Sequence, residues 1–354
     1  MKCNMSKKLR KWSCYVALLA IGMCIALSSC KKAGISEKAK KEQAYSRDIF
    51  AMDTYMSLTA YGEHGEEAVK AAEEEIHHLD NIWSIVSKDG EVYNINKKGT
   101  GEISKDTKTV LEYAKRLNEE TEGAFDVTIY PLMDLWGFTT QKYHVPTKEE
   151  LRQAMARVGQ EYMTIEDDTL TLGEQQQMDL GGIAKGYTSS RIMEIFKEHG
   201  VTSGMVSLGG NVQVLGTKVN GDKWNVGIRN PKGSDGELIG AVSVADRTVI
   251  TSGGYERYFE EDGKTYHHII DPFTGYPAEN GLISVTIISK DGTLADGLST
   301  ALFVMGTKQA TEYWKEHHEE FEAVFVTEES KVYVTEGLKD DFQSDYDIEI
   351  VRVN

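Results

Sequence analysis

Two hydrophobic rhythms alternate along the chain. In "EEAVKAAEEEIHHLDNIWSIV", Val69, Ala72, Ile76, Leu79 and Ile82 recur every three or four residues, which predicts a helix with one apolar face. "SKDTKTVLEYAKRLNEETEG" predicts a second, opened by Ser104 and closed by Gly123. "TKEELRQAMARVG" predicts a third, with Thr147 and Glu150 at capping-box spacing. "MDLGGIAKGYTSSRIMEIFKEHG", residues 178–200, turns through a glycine pair into a fourth. The other rhythm is strand-like. "IFAMDTYMSLTAYG" reads as a strand, and beyond residue 200 short strands alternate with turns: "GMVSLGG", "VQVLGT", "WNVGIRNP", "LIGAVSVADRTVITSGG", "YHHIIDP" and "LISVTIIS". A helix over "TLADGLSTALFVMG", another around "ATEYWKEHH" and two closing strands complete the order. The class predicted is α+β, with largely antiparallel sheets and packed helices rather than a βαβ repeat.

The first residues follow a different plan. A basic start (Lys2, Lys7, Lys8, Arg10, Lys11) precedes an apolar run from Tyr15 to Leu27, too short for an ordinary membrane span, and then "LSSC". Residues 1–29 therefore read as a secretory signal peptide. Either Cys30 is the lipid-modified first residue of a bacterial lipoprotein, or the cysteine stands there by chance. Residues 30–48, lysine-rich and polar, read as the lipidated cysteine and a flexible tether, which leaves 49–354 for the folded part.

All four cysteines (Cys3, Cys14, Cys24, Cys30) lie in the leader or at its edge, so the exported chain has no disulfide framework, thiol nucleophile or cysteine zinc site. The 39 basic against 56 acidic residues give a net charge of −17, more negative still without the leader. Such a surface disfavours nonspecific nucleic-acid binding. A phosphate ligand would have to be met by local amides, a lysine or a metal ion.

Candidate chemistry sits in four places. The glycine turn before "IAKGY" offers helix N-terminal amides and Lys185 to an anion, or serves packing alone. "SLGGNVQVLG" and "ITSGGYERYF" are hairpin turns or points of close ligand approach. Asp296, with Ser299 and Thr300 on the same helical face, is an oxygen-only donor set suited to Mg²⁺, or else a helix cap. In "YHHIIDPFTGYP", strand alternation lets only one of His267 and His268 face a site, as a general base or as polar decoration. Asp271, Pro272 and Gly275 shape a turn, while His77, His78, His317 and His318 read as solvated helix residues.

The order of these pieces resembles the ApbE family of FAD:protein FMN transferases. "AMDTYMSL" is similar to its Met-Gly-Thr stretch, "GAFDVTIYPLMDLWGF" to its Gly-x-Phe-Asp block, and "DLGGIAKGY" to its glycine–lysine block. "HHIIDPFTGYP" and "ADGLSTALFVMG" resemble its last two signatures. Asp53, Ser190 and Asn211 depart from the family pattern, where glycine, aspartate and aspartate are common. The resemblance implies a T-fold-related architecture and Mg²⁺-dependent transfer of FMN from FAD to a Thr or Ser hydroxyl of an acceptor protein, with release of AMP. It implies His268 as the general base, with Met52, Ala124, Phe125, Asp126, Asp179, Lys185 and Ile270 at FAD. It places Mg²⁺ between Gly182, Asp296, Ser299 and Thr300. The acceptors implied are flavoprotein subunits of membrane redox pumps (Nqr/Rnf type) or related exported proteins, reached from a lipid anchor on the extracytoplasmic face, at the cell inner membrane. Some relatives instead hydrolyse FAD to FMN and AMP, and a non-catalytic FAD-binding protein is the third expectation.

Overall fold

The computed structural model describes residues 42–234 and 236–353. The leader, Cys30 and most of the expected tether lie outside the described residues. Nine strands form the main sheet: β1 (Ala44–Ala51), β2 (Thr54–Tyr61), β3 (Gly204–Leu208), β4 (Asn211–Leu215), β5 (Arg247–Gly253), β6 (Leu282–Ser289), β7 (Phe321–Thr327), β8 (Val332–Thr335) and β9 (Ile348–Val351). They lie side by side in chain order. Every neighbouring pair is antiparallel except β8–β9. The expected α+β class with largely antiparallel pairing is what the chain adopts.

Among the described residues seven α-helices accompany the sheet: α1 (Gly65–Trp83), α2 (Glu91–Lys98), α3 (Lys105–Glu120), α4 (Tyr130–Leu135), α5 (Lys148–Met155), α6 (Ala184–Glu198) and α7 (Gly292–His317). Alternation along the central strands explains the layering. Ile250 and Ile287 point to one face and join Leu294, Leu298 and Leu302 of α7 and Leu117 of α3. Their chain neighbours Val249 and Ile288 point to the other face. There they meet Trp224, Val226 and Val242 of a small three-stranded sheet (Trp224–Arg229, Leu238–Val244, Phe342–Gln343). A separate cluster around Trp136, Phe138 and Leu151 packs beside the 258–277 region.

Local signals explain the helix starts. Ser104 caps α3 by accepting the Thr107 amide, and Thr147 and Glu150 form the expected capping box on α5.

Two expectations need correcting. "IFAMDTYMSLTAYG" is not one strand but the hairpin β1–β2, turning at Met52 (φ 48°) and Asp53 (φ 57°). Two successive left-handed residues make the type I′ turn that matches strand twist. Strand β1 begins at Ala44, so residues 44–48 belong to the sheet rather than to the tether; Ser46, Arg47 and Asp48 are exposed, as suits the sheet edge, while Tyr45 packs against the core. The two helices expected near the C-terminus are present end to end within α7: non-helical Gly306 (φ 76°, ψ 167°) separates them, where Asn280 donates to the carbonyls of Phe303 and Val304.

Candidate active site

The site is built on the crossing of α6 and α7. The helices touch through glycines: a Cβ on Gly292 would lie 2.6 Å from the Gly186 carbonyl oxygen, and one on Gly186 would run into the Gly292 carbonyl. This approach brings Asp296, in the second turn of α7, to the start of α6. Its Oδ2 accepts the Gly186 amide (2.8 Å), and its Oδ1 accepts Asn211 Nδ2 from β4 (2.9 Å). Asp291 caps α7 by accepting the Leu294 amide, so capping is not the task of Asp296. The α6 N-terminus expected to offer its amides to a ligand anion gives the Gly186 amide to the protein's own carboxylate. Burial pushes the Asp296 carboxyl up; Lys185, the Gly186 amide and Asn211 oppose that shift.

One turn on, Ser299 Oγ lies 2.8 Å from the Asp296 carbonyl oxygen and 2.7 Å from Ser252 Oγ on β5. Thr300 Oγ1 lies 3.3 Å from the same Ser252 hydroxyl. Gly182 faces them: a Cβ there would sit 3.2 Å from the Phe125 ring and 3.9 Å from Thr300 Oγ1. The structure thus brings Phe125, Gly182, Asp296, Ser299 and Thr300 together. One carboxylate, two hydroxyls and a nearby backbone are hard oxygen donors, the chemistry that holds Mg²⁺. Among the described residues no group of three or more His, Cys, Asp or Glu side chains could hold a metal ion, so hydroxyls and carbonyls would have to complete any shell here.

Charged side chains surround this set. Lys185, at the second position of α6, donates to the Gly181 carbonyl (3.3 Å) and acts on both Asp296 and Asp179. Asp179 accepts the Gly181 amide (2.7 Å); burial pushes its carboxyl up, against Arg257 and Lys185. Glu256 keeps solvent access at the rim, yet crowding by protein pushes it up to about 7, against Lys185.

The histidines divide their work. His267 Nε2 donates to the Ala278 carbonyl (3.2 Å), its Nδ1 accepts the Ile269 amide (3.3 Å), and its ring meets Phe303 edge-on. His268 Nδ1 lies 3.2 Å from the Arg257 carbonyl oxygen. A carbonyl only accepts, so Nδ1 carries the proton and Nε2 keeps its lone pair. Burial, then the Arg257 cation, lowers the His268 pKa to about 3, which leaves the ring neutral at physiological pH.

Other expected contacts are spent on the fold. Asp126 accepts the amide and hydroxyl of Thr128 and the Gln160 amide, holding the turn that follows it. It also lines a cleft of about 480 Å³ with Glu119, Glu122, Gly123, Glu161 and Phe273. Lys185, Asp296 and Thr300 do not line that cleft. Ala124 is buried beside Phe125. The Ile270 side chain packs into the Trp136 cluster, which leaves its backbone as the means of touching a ligand. Met52 packs its sulfur 3.7 Å from the Thr188 hydroxyl, and its amide donates to Asp80. Asp271 shapes its turn by accepting the Phe273 amide and the Thr274 hydroxyl. His77, His78 and His318 are exposed as expected, but His317 stacks on Tyr313 (4.2 Å) and bonds Glu320. Sequence reasoning missed Ser252, Glu256 and Arg257. Their only signal was the glycine turn of "ITSGGYERYF".

Fold and site define a class: an α+β scaffold that gathers oxygen donors, two cations and a neutral imidazole. The ApbE family model matches residues 52–325. The FAD:protein FMN transferase of Vibrio cholerae is 34% identical over 311 residues, covering 85% of this chain and 89% of the relative. That of Treponema pallidum is 32% identical over 354 residues, covering 93% and 96%. The crystal structure of the ApbE protein from Thermotoga maritima superposes with a TM-score of 0.79 at 33% identity, over 84% of this chain and 98% of that one. The flavin transferase ApbE of Vibrio cholerae gives 0.76 at 30%, over 84% and 99%. The chain belongs to the ApbE family and is an enzyme of it.

Proposed function

We propose that this enzyme transfers FMN from FAD to a Thr or Ser hydroxyl of an acceptor protein and releases AMP, with Mg²⁺ at the Asp296 site. What supports the reading, beside family membership, is one observation: the oxygen donors of α7 lie in the same charged site as a histidine whose Nε2 is open. The acceptor oxygen forms a bond to the FMN phosphorus while the phosphoanhydride bond to AMP breaks. The hydroxyl proton passes to His268 Nε2. Lys185 and Arg257 meet the negative charge of the pyrophosphate, which in turn offsets the Arg257 cation that helps to hold the imidazole pKa down. Mg²⁺ bound by Asp296, Thr300, Ser299 and the Gly182 carbonyl would neutralise charge on the phosphates.

The leader and "LSSC" support an exported enzyme anchored through a lipid on Cys30 at the extracytoplasmic face, at the cell inner membrane, acting on flavoprotein subunits of membrane redox pumps. The test is to incubate the full chain with FAD, Mg²⁺ and a protein carrying an Asp-Gly-x-(Ser/Thr)-x-(Thr/Ser) segment. AMP release matched by flavin fluorescence that survives on a denaturing gel is the expected result. AMP without a labelled acceptor would favour FAD hydrolysis; bound FAD without AMP would favour a storage protein.

A further inference from the structure

Three hydroxyls in the site have only three hydrogens between them, and this fixes their direction. Ser299 Oγ contacts the Asp296 carbonyl oxygen at 2.8 Å, and a carbonyl cannot donate, so the Ser299 hydrogen points there. The 2.7 Å contact between Ser252 and Ser299 must then use the hydrogen of Ser252. The 3.3 Å contact between Thr300 and Ser252 must use the hydrogen of Thr300. Only this order, Thr300 to Ser252 to Ser299 to the Asp296 carbonyl, satisfies all three contacts. A helical threonine ordinarily turns its hydrogen back to the carbonyl four residues earlier. Here that carbonyl belongs to Asp296 and is taken by Ser299, so the Thr300 hydrogen is drawn towards β5 instead.

We infer that Ser252 is a positioning residue that draws the Thr300 hydroxyl hydrogen aside, so that Thr300 Oγ1 turns its lone pairs to a divalent cation between α7 and Gly182. The inference rests on the Mg²⁺ reading above. It adds a residue outside the donor set, from a strand of the central sheet, that tunes the set without touching the cation. Without Ser252, the Thr300 hydrogen is free to turn into the cation's place and Ser299 loses its donor.

The experiment compares wild type with S252A and S252T as full-length proteins, using Mn²⁺ as the probe and electron paramagnetic resonance to count free ion. S252A is expected to weaken Mn²⁺ binding by about 10- to 100-fold. S252T, which keeps the hydroxyl, is expected to restore it. FAD binding measured in chelator should stay the same in all three. In turnover, S252A should raise the Mg²⁺ concentration needed for half-maximal rate while kcat at saturating Mg²⁺ recovers. If S252A fails to fold, S252C keeps the shape with a much weaker donor and should show the same loss of Mn²⁺ affinity. Equal Mn²⁺ affinity in wild type and S252A, or in wild type and S252C where that variant is used, overturns the role of Ser252 alone. A wild-type protein that takes up no Mn²⁺ overturns the metal reading, and the inference with it.

Discussion

Gly186 donates its amide to Asp296 Oδ2 at 2.8 Å, from a helix that meets α7 at a glycine-to-glycine contact. The carboxylate lies where the positive end of the α6 dipole is strongest, and this favours its charged form against the push of burial. Side-chain size at the crossing, rather than any feature of Asp296 itself, decides whether the contact can form.

Gly292→Ala tests that dependence. The added methyl would lie 2.6 Å from the Gly186 oxygen and 2.8 Å from Gln213 Oε1, so the helices must part. Urea unfolding is expected to show a loss of about 1–3 kcal/mol. Mn²⁺ affinity should fall with it; an alanine variant of unchanged stability would show that the helices have room to give.

Asn211 reaches across from β4 and donates to Asp296 Oδ1. Asn211→Ala removes a donor from a buried carboxylate and should cost about 1–3 kcal/mol. Asn211→Asp sets a second carboxylate against the first. Its melting temperature is expected to drop further in chelator and to recover in Mg²⁺ by more than that of wild type, since the ion binds the folded form. Thermal melts with and without Mg²⁺ read both effects.

His268→Ala should retain FAD binding while transfer slows by about 10²- to 10⁴-fold, the usual worth of a general base. His267→Ala should instead lower stability, since its ring holds Ala278 and Ile269.

The pH dependence follows from the same ring. The pKa of His268 in the free enzyme is about 3, so kcat/KM should show no acid limb near the ordinary histidine value of about 6.5. The folded pKa lies below the unfolded one, so the unfolded chain binds more protons between them. The histidine's contribution to stability is therefore complete above pH ~6.5 and is lost as pH falls towards 3. His268→Gln should flatten that part of the curve in denaturant titrations.

Asp53 occupies a left-handed position (φ 57°) in the Met52–Asp53 turn, and its charge acts unfavourably on Asp179. Asp53→Gly should leave stability equal or higher, whereas a β-branched Asp53→Val should cost about 1–2 kcal/mol. Chemical denaturation of the two variants checks the order.

Much of this architecture was legible along the chain. Ser104, Thr147 and Glu150 mark helix starts because capping is local chemistry, and the period of Val69 to Ile82 is the period of the face α1 buries. The hairpin at Met52–Asp53 was not legible, because neither residue is the glycine or asparagine that usually signals such a turn. Helix α2 escaped notice because it is short and buries only Val92 and Ile95. In the site, α7 displayed Asp296, Ser299 and Thr300 at readable spacing. Their partners Asn211, Ser252 and Gly186 could not be read, since each comes from another element and meets them only through sheet order and the glycine crossing. The His267–His268 pair was half legible: alternation separates the rings, but the Arg257 carbonyl that fixes the tautomer lies on a neighbouring strand connection.

The sheet is laid down in chain order, and Ser252 lies on the fifth of its nine strands, with Asn211 on the fourth. Opening that starts at either outer strand must unzip several ladders before it reaches these residues. In native-state hydrogen exchange, amides of β1 and β9 should therefore exchange through small local openings, while those of β5 should wait for global unfolding. Thermal fraying at the margins then leaves the arrangement of the reacting groups undisturbed.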